Sequence, residues 1–401
     1  MGGAGHIIDF DKRDFFMIKT ILNAIWRYFR KLDKGLFIAV CALAAFSVLL
    51  MYALVTNGVT SKETSMYKIQ FIATCLGAVI ALVMSGLDYH WFTKLWFLYA
   101  PLCVGLTLLT FTSLGYQPHE GVDDRAWIDL GFTTMQPSEF LKIAFIMTFA
   151  VHLDKVKDNI NHFLNVILLC IHGAIPVLIV ILQGDDGTAI VFLMIFACMI
   201  FAAGLSWKYI IPVLIAAPFG IWFIWENVMQ PHQKNRFLVL FQEDPINDPQ
   251  FADIFYQQHW GRLALGSGQL FGKGIHADEY VPVPYVQNDF IFTFVGQCFG
   301  FIGCIALVAV LAYVCLKILA DGTIAKDDLG RNMCNGVFAM IFVHCILNIG
   351  MVLVVMPVIG VPLPFISQGG TSMISMFVSI GLVMSVYSHS EKNYRVFYDA
   401  D

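Results

Sequence analysis

The chain has 401 residues, of which 58 per cent are hydrophobic and 13 per cent charged, with a mean hydropathy of +0.72. Those proportions exclude the two or three soluble domains that length alone would suggest and point to an all-α polytopic membrane protein. The net charge of −5 excludes little, because an evenly mixed surface gives the same sum, and no nucleic-acid partner is expected.

Residues 1–34 lack a compact apolar core followed by a small-residue cleavage site, so no cleavable signal is expected. Ile18, Leu22, Ile25 and Phe29 recur at helical spacing beside Lys19, Arg27, Arg30 and Lys31. Two readings stand: a helix lying on the inner membrane surface, or a disordered basic tail. Apolar windows able to cross a hydrocarbon core of about 30 Å follow at 36–55, 69–87, 95–114, 163–182, 188–205, 209–225, 290–316, 333–356 and 371–389. A shorter window, 138–153, carries Lys142 and makes a tenth span. Ten spans put both ends on one side. With the N-terminus inside, the cytoplasmic segments hold 16 of the Lys and Arg residues and the outer ones 7, so both termini are expected in the cytoplasm. The expected organisation is a basic segment 1–34, a ten-helix domain 35–389 with one large outer loop at about 226–289, and a tail 390–401. All ten cysteines fall in or beside spans, which implies no disulfide framework, and no paired C-x-x-C supports a structural zinc site.

In chain order, the second outer loop ends in Gln136-Pro137-Ser138-Glu139, with proline pre-organised for a helix start. Glu139 lies three residues before Lys142, on the same helix face. A charge inside a membrane segment costs about 2.5–3.5 kcal/mol on insertion scales, so the two form either a structural ion pair or a direct substrate contact. Gln183-Gly184-Asp185-Asp186-Gly187-Thr188 turns the chain outside; Asp185 either caps the next helix or lines a cavity. The large loop carries Lys234, Arg236, Arg262 and the glycine-rich run Gly266 to Gly274 with Lys273. Such a backbone can approach a phosphate, or its glycines simply make turns. At the end of the loop Gln287-Asn288-Asp289 meets the apolar run from Phe290, placing one carboxylate at the lip of a membrane segment, where by position it either caps the next helix or acts as a base. His344 and Asn348, one turn apart, are expected to make interhelical hydrogen bonds. Pro357 to Thr371 holds three prolines and three glycines, a broken backbone tolerated at membrane depth only when buried in protein or lining a cavity.

Trp127-Ile128-Asp129-Leu130-Gly131, Gln136-Pro137-Ser138-Glu139 with Lys142, Gly266-Ser267-Gly268 with Gly272-Lys273-Gly274, Asp289-Phe290-Ile291-Phe292, Asn348-Ile349-Gly350-Met351 and the Pro357–Thr371 segment occur in this order. Together they resemble the SEDS family (shape, elongation, division and sporulation proteins, including RodA, FtsW and SpoVE). Pro357-Val358-Ile359-Gly360-Val361-Pro362-Leu363-Pro364 resembles its RodA branch. The chain departs from the family pattern at Asp186, Trp260, Gln269, Gln297, Cys298 and Gln368.

The resemblance implies a peptidoglycan glycosyltransferase that polymerises lipid II at the outer face of the bacterial cytoplasmic membrane, for elongation and cell shape. It implies Asp289 as catalytic base, and Arg236, Arg262, Lys273 and Ser367 toward the pyrophosphate. Glu139, Lys142 and Asp185 then act as cavity or structural polar groups. A divalent cation (Mg2+ or Mn2+) and a class B penicillin-binding protein as transpeptidase partner are implied as well. The metal-ligating residues are not specified by the sequence. Rival readings are a lipid II flippase and a non-catalytic scaffold for a transpeptidase.

Overall fold

The structure, a computed structural model, describes residue 28 and residues 30–60, 65–116, 125–131 and 134–390. The expected inner-surface helix around Ile18 to Arg27 and the tail beyond residue 390 lie outside those residues. Thirteen α-helices are described: α1 (Lys34–Thr56), α2 (Ser65–Gly86), α3 (Tyr89–Lys94), α4 (Trp96–Leu109), α5 (Pro137–Val156), α6 (Phe163–Leu182), α7 (Asp186–Ala202), α8 (Trp207–Asn227), α9 (Pro231–Leu238), α10 (Ala252–Ser267), α11 (Ile291–Thr323), α12 (Asp328–Val352) and α13 (Gly370–Ser388). Seven of them, α1, α2, α6, α8, α11, α12 and α13, are long and apolar enough to cross a membrane; α4 and α7 are shorter apolar helices.

Local chemistry sets the helix starts. Asp33, Asp185 and Asp327 cap α1, α7 and α12 by accepting from Leu36, Thr188 and Gly330 N–H, and Pro137 opens α5. Between α4 and α5 a small antiparallel sheet pairs β1 (Gly115–Tyr116) with β2 (Trp127–Asp129) and β2 with β3 (Thr134–Met135). The core gathers on α5, α12 and α13, which are buried along most of their length. Small residues let α13 approach α2: a Cβ on Gly77 would fall 2.6 Å from the Phe377 ring, and one on Gly381 3.0 Å from Ala81 Cα. By contrast, no residue of α8 or α9 is buried.

Three expectations take a different form in the structure. The segment 138–153 lies within the 20-residue α5, which is not among the seven long apolar helices and encloses Glu139 and Lys142. The stretch 226–289 is not a plain polar loop, since it folds into α9, a 3-10 turn and the 16-residue α10. The span expected from Phe290 is interrupted at Gly300, whose φ of 66° and ψ of −163° break the helix within α11. Polar atoms freed by that break are taken up by the glycine-rich run. Phe301 and Ile302 N–H donate to Gln269 and Leu270 carbonyls, while Lys273 and Gly274 N–H donate to Gln297 and Cys298 carbonyls, all at 2.8–3.2 Å.

Candidate active site

One end of the bundle collects the starts of α5, α7, α11 and α13 and the finish of α12. Links across it fix this arrangement: Thr371 Oγ1 donates to Thr134 O at 3.3 Å, Gln258 Nε2 to Met351 and Met356 carbonyls at 2.9 and 3.0 Å, and a Cβ on Gly187 would meet Ile359 O at 2.3 Å. Asp289 sits in the turn that leads into α11. The turn is pinned from three sides: Gln257 Nε2 donates to Pro284 O at 2.8 Å, Gln368 N–H to Gln287 O at 2.8 Å, and Asn348 Nδ2 to Asp289 O at 2.7 Å and Val361 O at 2.8 Å. Asn348 therefore clamps the catalytic candidate to the proline segment, not helix to helix. Tyr285, Val354 and Phe365 around this turn have φ of 51°, 59° and 63°, a left-handed conformation that costs such side chains of order 1–3 kcal/mol each.

The Asp289 side chain is half-buried, and among the described residues no Lys, Arg or His pairs with it. Burial pushes its carboxyl up to about 6, offset slightly by its own backbone N–H. Phe290 beside it is fully enclosed and lies under Gly261 of α10, where a Cβ would come within 3.1 Å of the ring. Arg262 follows on the same helix and is exposed. Arg236, in the last turn of α9, is half-buried, and Lys273 is exposed with Nζ 3.5 Å from Glu279 O. Among the described residues none of these three cations is ion-paired.

Glu139 and Lys142 are enclosed and paired at 2.7 Å. Lys142 Nζ also donates to His344 Nε2 at 2.9 Å, and His344 Nδ1 faces Met340 O at 2.7 Å, so the ring carries its proton on Nδ1 and accepts on Nε2. Ser375 Oγ donates to the second Glu139 oxygen at 3.1 Å. These contacts join α5, α12 and α13 and describe a structural knot. Asp185 both caps α7 and accepts from Gln136 Nε2 at 2.8 Å; burial raises its carboxyl, opposed by the Thr188 donors.

Two site expectations fare differently. Ser367 is buried and its Oγ accepts from Leu363 N–H at 2.8 Å, which closes the proline segment. The glycine-rich run is not a phosphate cradle, because the N–H groups of Gly272, Lys273 and Gly274 are already bonded to carbonyls. Its glycines answer close approach: a Cβ on Gly268 would meet Gly296 O at 1.8 Å and one on Gly272 Cys298 O at 2.3 Å. Gln297 and Cys298 are buried as well, and Gln297 brackets Val281 by accepting from its N–H at 2.8 Å and donating to its carbonyl at 3.2 Å. The residues that sequence reasoning missed are mostly glutamines: Gln70, buried in α2, joins Ser47 and the carbonyl of Ser367, and Gln257, Gln258 and Gln136 stitch the segments at the Asp289 end. A polar side chain inside an apolar window was the available signal for Gln70.

The sequence matches the family described as Cell cycle protein (FtsW, RodA, SpoVE) over residues 34–392. It is 30% identical to the peptidoglycan glycosyltransferase MrdB of Escherichia coli K12 over 368 residues, 89% of this chain and 94% of that one. It is likewise 30% identical to the probable peptidoglycan glycosyltransferase FtsW of Geobacter metallireducens over 383 residues, 92% and 96% of the two chains. The fold matches a chain of a peptidoglycan synthase complex solved to show how polymerisation and crosslinking are coordinated (TM-score 0.74, 24% identity, 89% of this chain and 97% of that). It also matches the rod-shape-determining protein RodA of Thermus thermophilus (TM-score 0.65, 23% identity, 90% and 98%).

Proposed function

The chain belongs to the FtsW/RodA/SpoVE family, and from that membership we propose that it is a multi-pass membrane peptidoglycan glycosyltransferase of cell-shape maintenance that polymerises lipid II. In this reading ten helices (α1, α2, α4 to α8 and α11 to α13) span the cytoplasmic membrane, both termini are cytoplasmic, and the Asp289 end faces outward. The single observation that carries the chemistry is Asp289 itself, a half-buried carboxylate with no cation beside it among the described residues. With its pKa raised to about 6, it is mostly ionised at neutral pH yet basic enough to take a proton.

Asp289 removes the proton of the acceptor sugar hydroxyl. The oxygen then bonds to the anomeric carbon of the donor, and the bond from that carbon to the lipid pyrophosphate breaks, the pyrophosphate leaving with its electron pair. Arg236, Arg262 and Lys273 supply positive charge to the departing group, and the apolar helices flanking the site take the polyprenyl chains. A divalent cation held in a protein cage does not fit, because no three His, Cys, Asp or Glu side chains converge among the described residues. Mg2+ is often held by substrate phosphates with few protein ligands, so a cation arriving with the pyrophosphate is the form we propose; no step is routed through it. A class B penicillin-binding protein supplies crosslinking in this reading, since the fold likeness extends to a synthase complex described by both activities.

The test is glycan-strand formation from purified lipid II. Wild type forms strands and Asp289→Asn forms none while remaining folded. Undiminished polymerisation by the variant would remove Asp289 from the mechanism, and transport of lipid II across vesicles without polymerisation would replace the reading by that of a flippase.

A further inference from the structure

Asp186 stands at the first position of α7, and its Oδ2 accepts from Gln233 Nε2 of α9 at 2.6 Å. The other end of the same amide is also engaged: Gln233 Oε1 accepts the backbone N–H of Gln230 at 3.0 Å, capping α9. One side chain thus ties the start of α9 to the start of α7. That tie matters because α8 and α9 have no buried residue to fix them by packing. The far end of α8 is anchored by Asn161, which accepts from Ser206 N–H at 2.7 Å and from Tyr209 Oη at 3.0 Å. At the near end α8 turns into α9 with Trp225 edge-on to Phe237 at 6.2 Å, and the Gln233–Asp186 bond joins that corner to the bundle. Arg236 lies three residues beyond Gln233, on the same helix face. It is therefore carried on the same short helix that the Gln233–Asp186 bond ties to the start of α7.

We infer that Asp186 and Gln233 are positioning residues whose bond holds α9 so that Arg236 is placed on the pyrophosphate of the lipid substrate; the inference rests on the glycosyltransferase reading. The bond is charge-assisted and directional, and Asp186 is further stabilised by the positive end of α7. Past Arg236 the chain is held by Val239, which packs with Phe251 and Phe255, and Asn235 accepts from Gln250 Nε2 at 3.2 Å, so loss of the Gln233–Asp186 bond frees the start of α9 from α7 and lets Arg236 swing about that remaining anchor.

The test uses the full chain in lipid nanodiscs, with binding of a polyprenyl pyrophosphate as the first readout and polymerisation of lipid II as the second. Gln233→Glu keeps the acceptor for Gln230 but sets a carboxylate against Asp186, and is expected to weaken binding about tenfold and to raise KM with little change in kcat. Adding Asp186→Asn restores a donor–acceptor pair in the opposite sense and should recover most of the loss. In an Arg236→Ala background Gln233→Glu should add nothing further, because the two act in series. Unchanged binding by Gln233→Glu, failure of the double variant to recover, or additive losses in the Arg236→Ala background would each overturn the inference. Correct binding behaviour without glycan strands from wild type would remove the glycosyltransferase reading alone; strands from every variant with identical binding would remove the inference alone.

Discussion

The two ends of the bundle treat charge in opposite ways. At the end formed by the start of α1, the finish of α11 and the start of α12, acids and bases are matched. Lys317 contacts Asp33 and lies 2.5 Å from Asp321, His90 sits between Asp88 and Asp327 at 2.7 and 2.8 Å, and Asp328 meets both Lys157 and Arg331. At the Asp289 end, among the described residues, the carboxylate and the cations Arg236, Arg262 and Lys273 stay apart and unpaired. At this same end, in the first two turns of α5, the Glu139–Lys142 pair is the exception, sealed in the core. Matched charges hold helices together, whereas the unmatched ones are those that the proposed mechanism assigns to the hydroxyl and the pyrophosphate of the substrate.

The sharpest way to break this contrast is at its unmatched acid. Asp289→Asn should lower turnover of lipid II by roughly 10²–10⁴-fold, the usual range for a general base, with no loss of folded protein by size-exclusion elution. The opposite signature is expected from the sealed pair: Lys142→Ala strands the Glu139 carboxylate and should cost about 3–5 kcal/mol of stability, seen as a lower Tm. Replacing both partners with uncharged residues of similar volume should return much of that. A Lys142→Ala protein of normal Tm and no turnover would move the pair into the chemistry.

Asn348→Ala removes two bonds to the Asp289 turn and the proline segment, an effect of about 1–3 kcal/mol that should show in kcat more than in Tm. The pH profile sharpens the same point. A base with a pKa of about 6 works only when ionised, so kcat/KM should fall about tenfold per unit below pH 6 and level off above it; a flat profile between pH 5 and 7 would exclude Asp289 as the base. The smallest effect belongs to the matched end: Arg331→Ala breaks an exposed pair with Asp328 and should shift stability by less than about 1 kcal/mol with polymerisation unchanged.

Most of the helices were legible from apolar windows, because a hydrocarbon interior demands long uninterrupted runs and the chain supplies them. The Glu139–Lys142 pair was legible too, since helical spacing alone brings residues three apart together. His344 as the third member was not, being 202 positions away from Lys142 and joined to it only by tertiary packing. The same limit hid α9 and α10, whose polar composition reads as loop until Gln258 and Gly261 of α10 are seen docking on α12 and the start of α11. Glycines left two readings open: the run around Lys273 allows a phosphate cradle or plain turns by composition, and close backbone contact with α11 accounts for those glycines and engages the N–H groups of Gly272, Lys273 and Gly274.

Gly300 brings that contact about. Inside an apolar helix its turn would strand amides and carbonyls, and residues 269–274 complete them with their own backbone. The course of this stretch is therefore fixed by its main chain, while its side chains are comparatively free. Substitutions at the exposed Leu270 should be borne easily and those at Gln269, whose φ is 48°, best by glycine or asparagine, but deleting even one residue would slip the register and leave polar groups bare in hydrocarbon, so the stretch behaves as a spliced piece of the helix it covers.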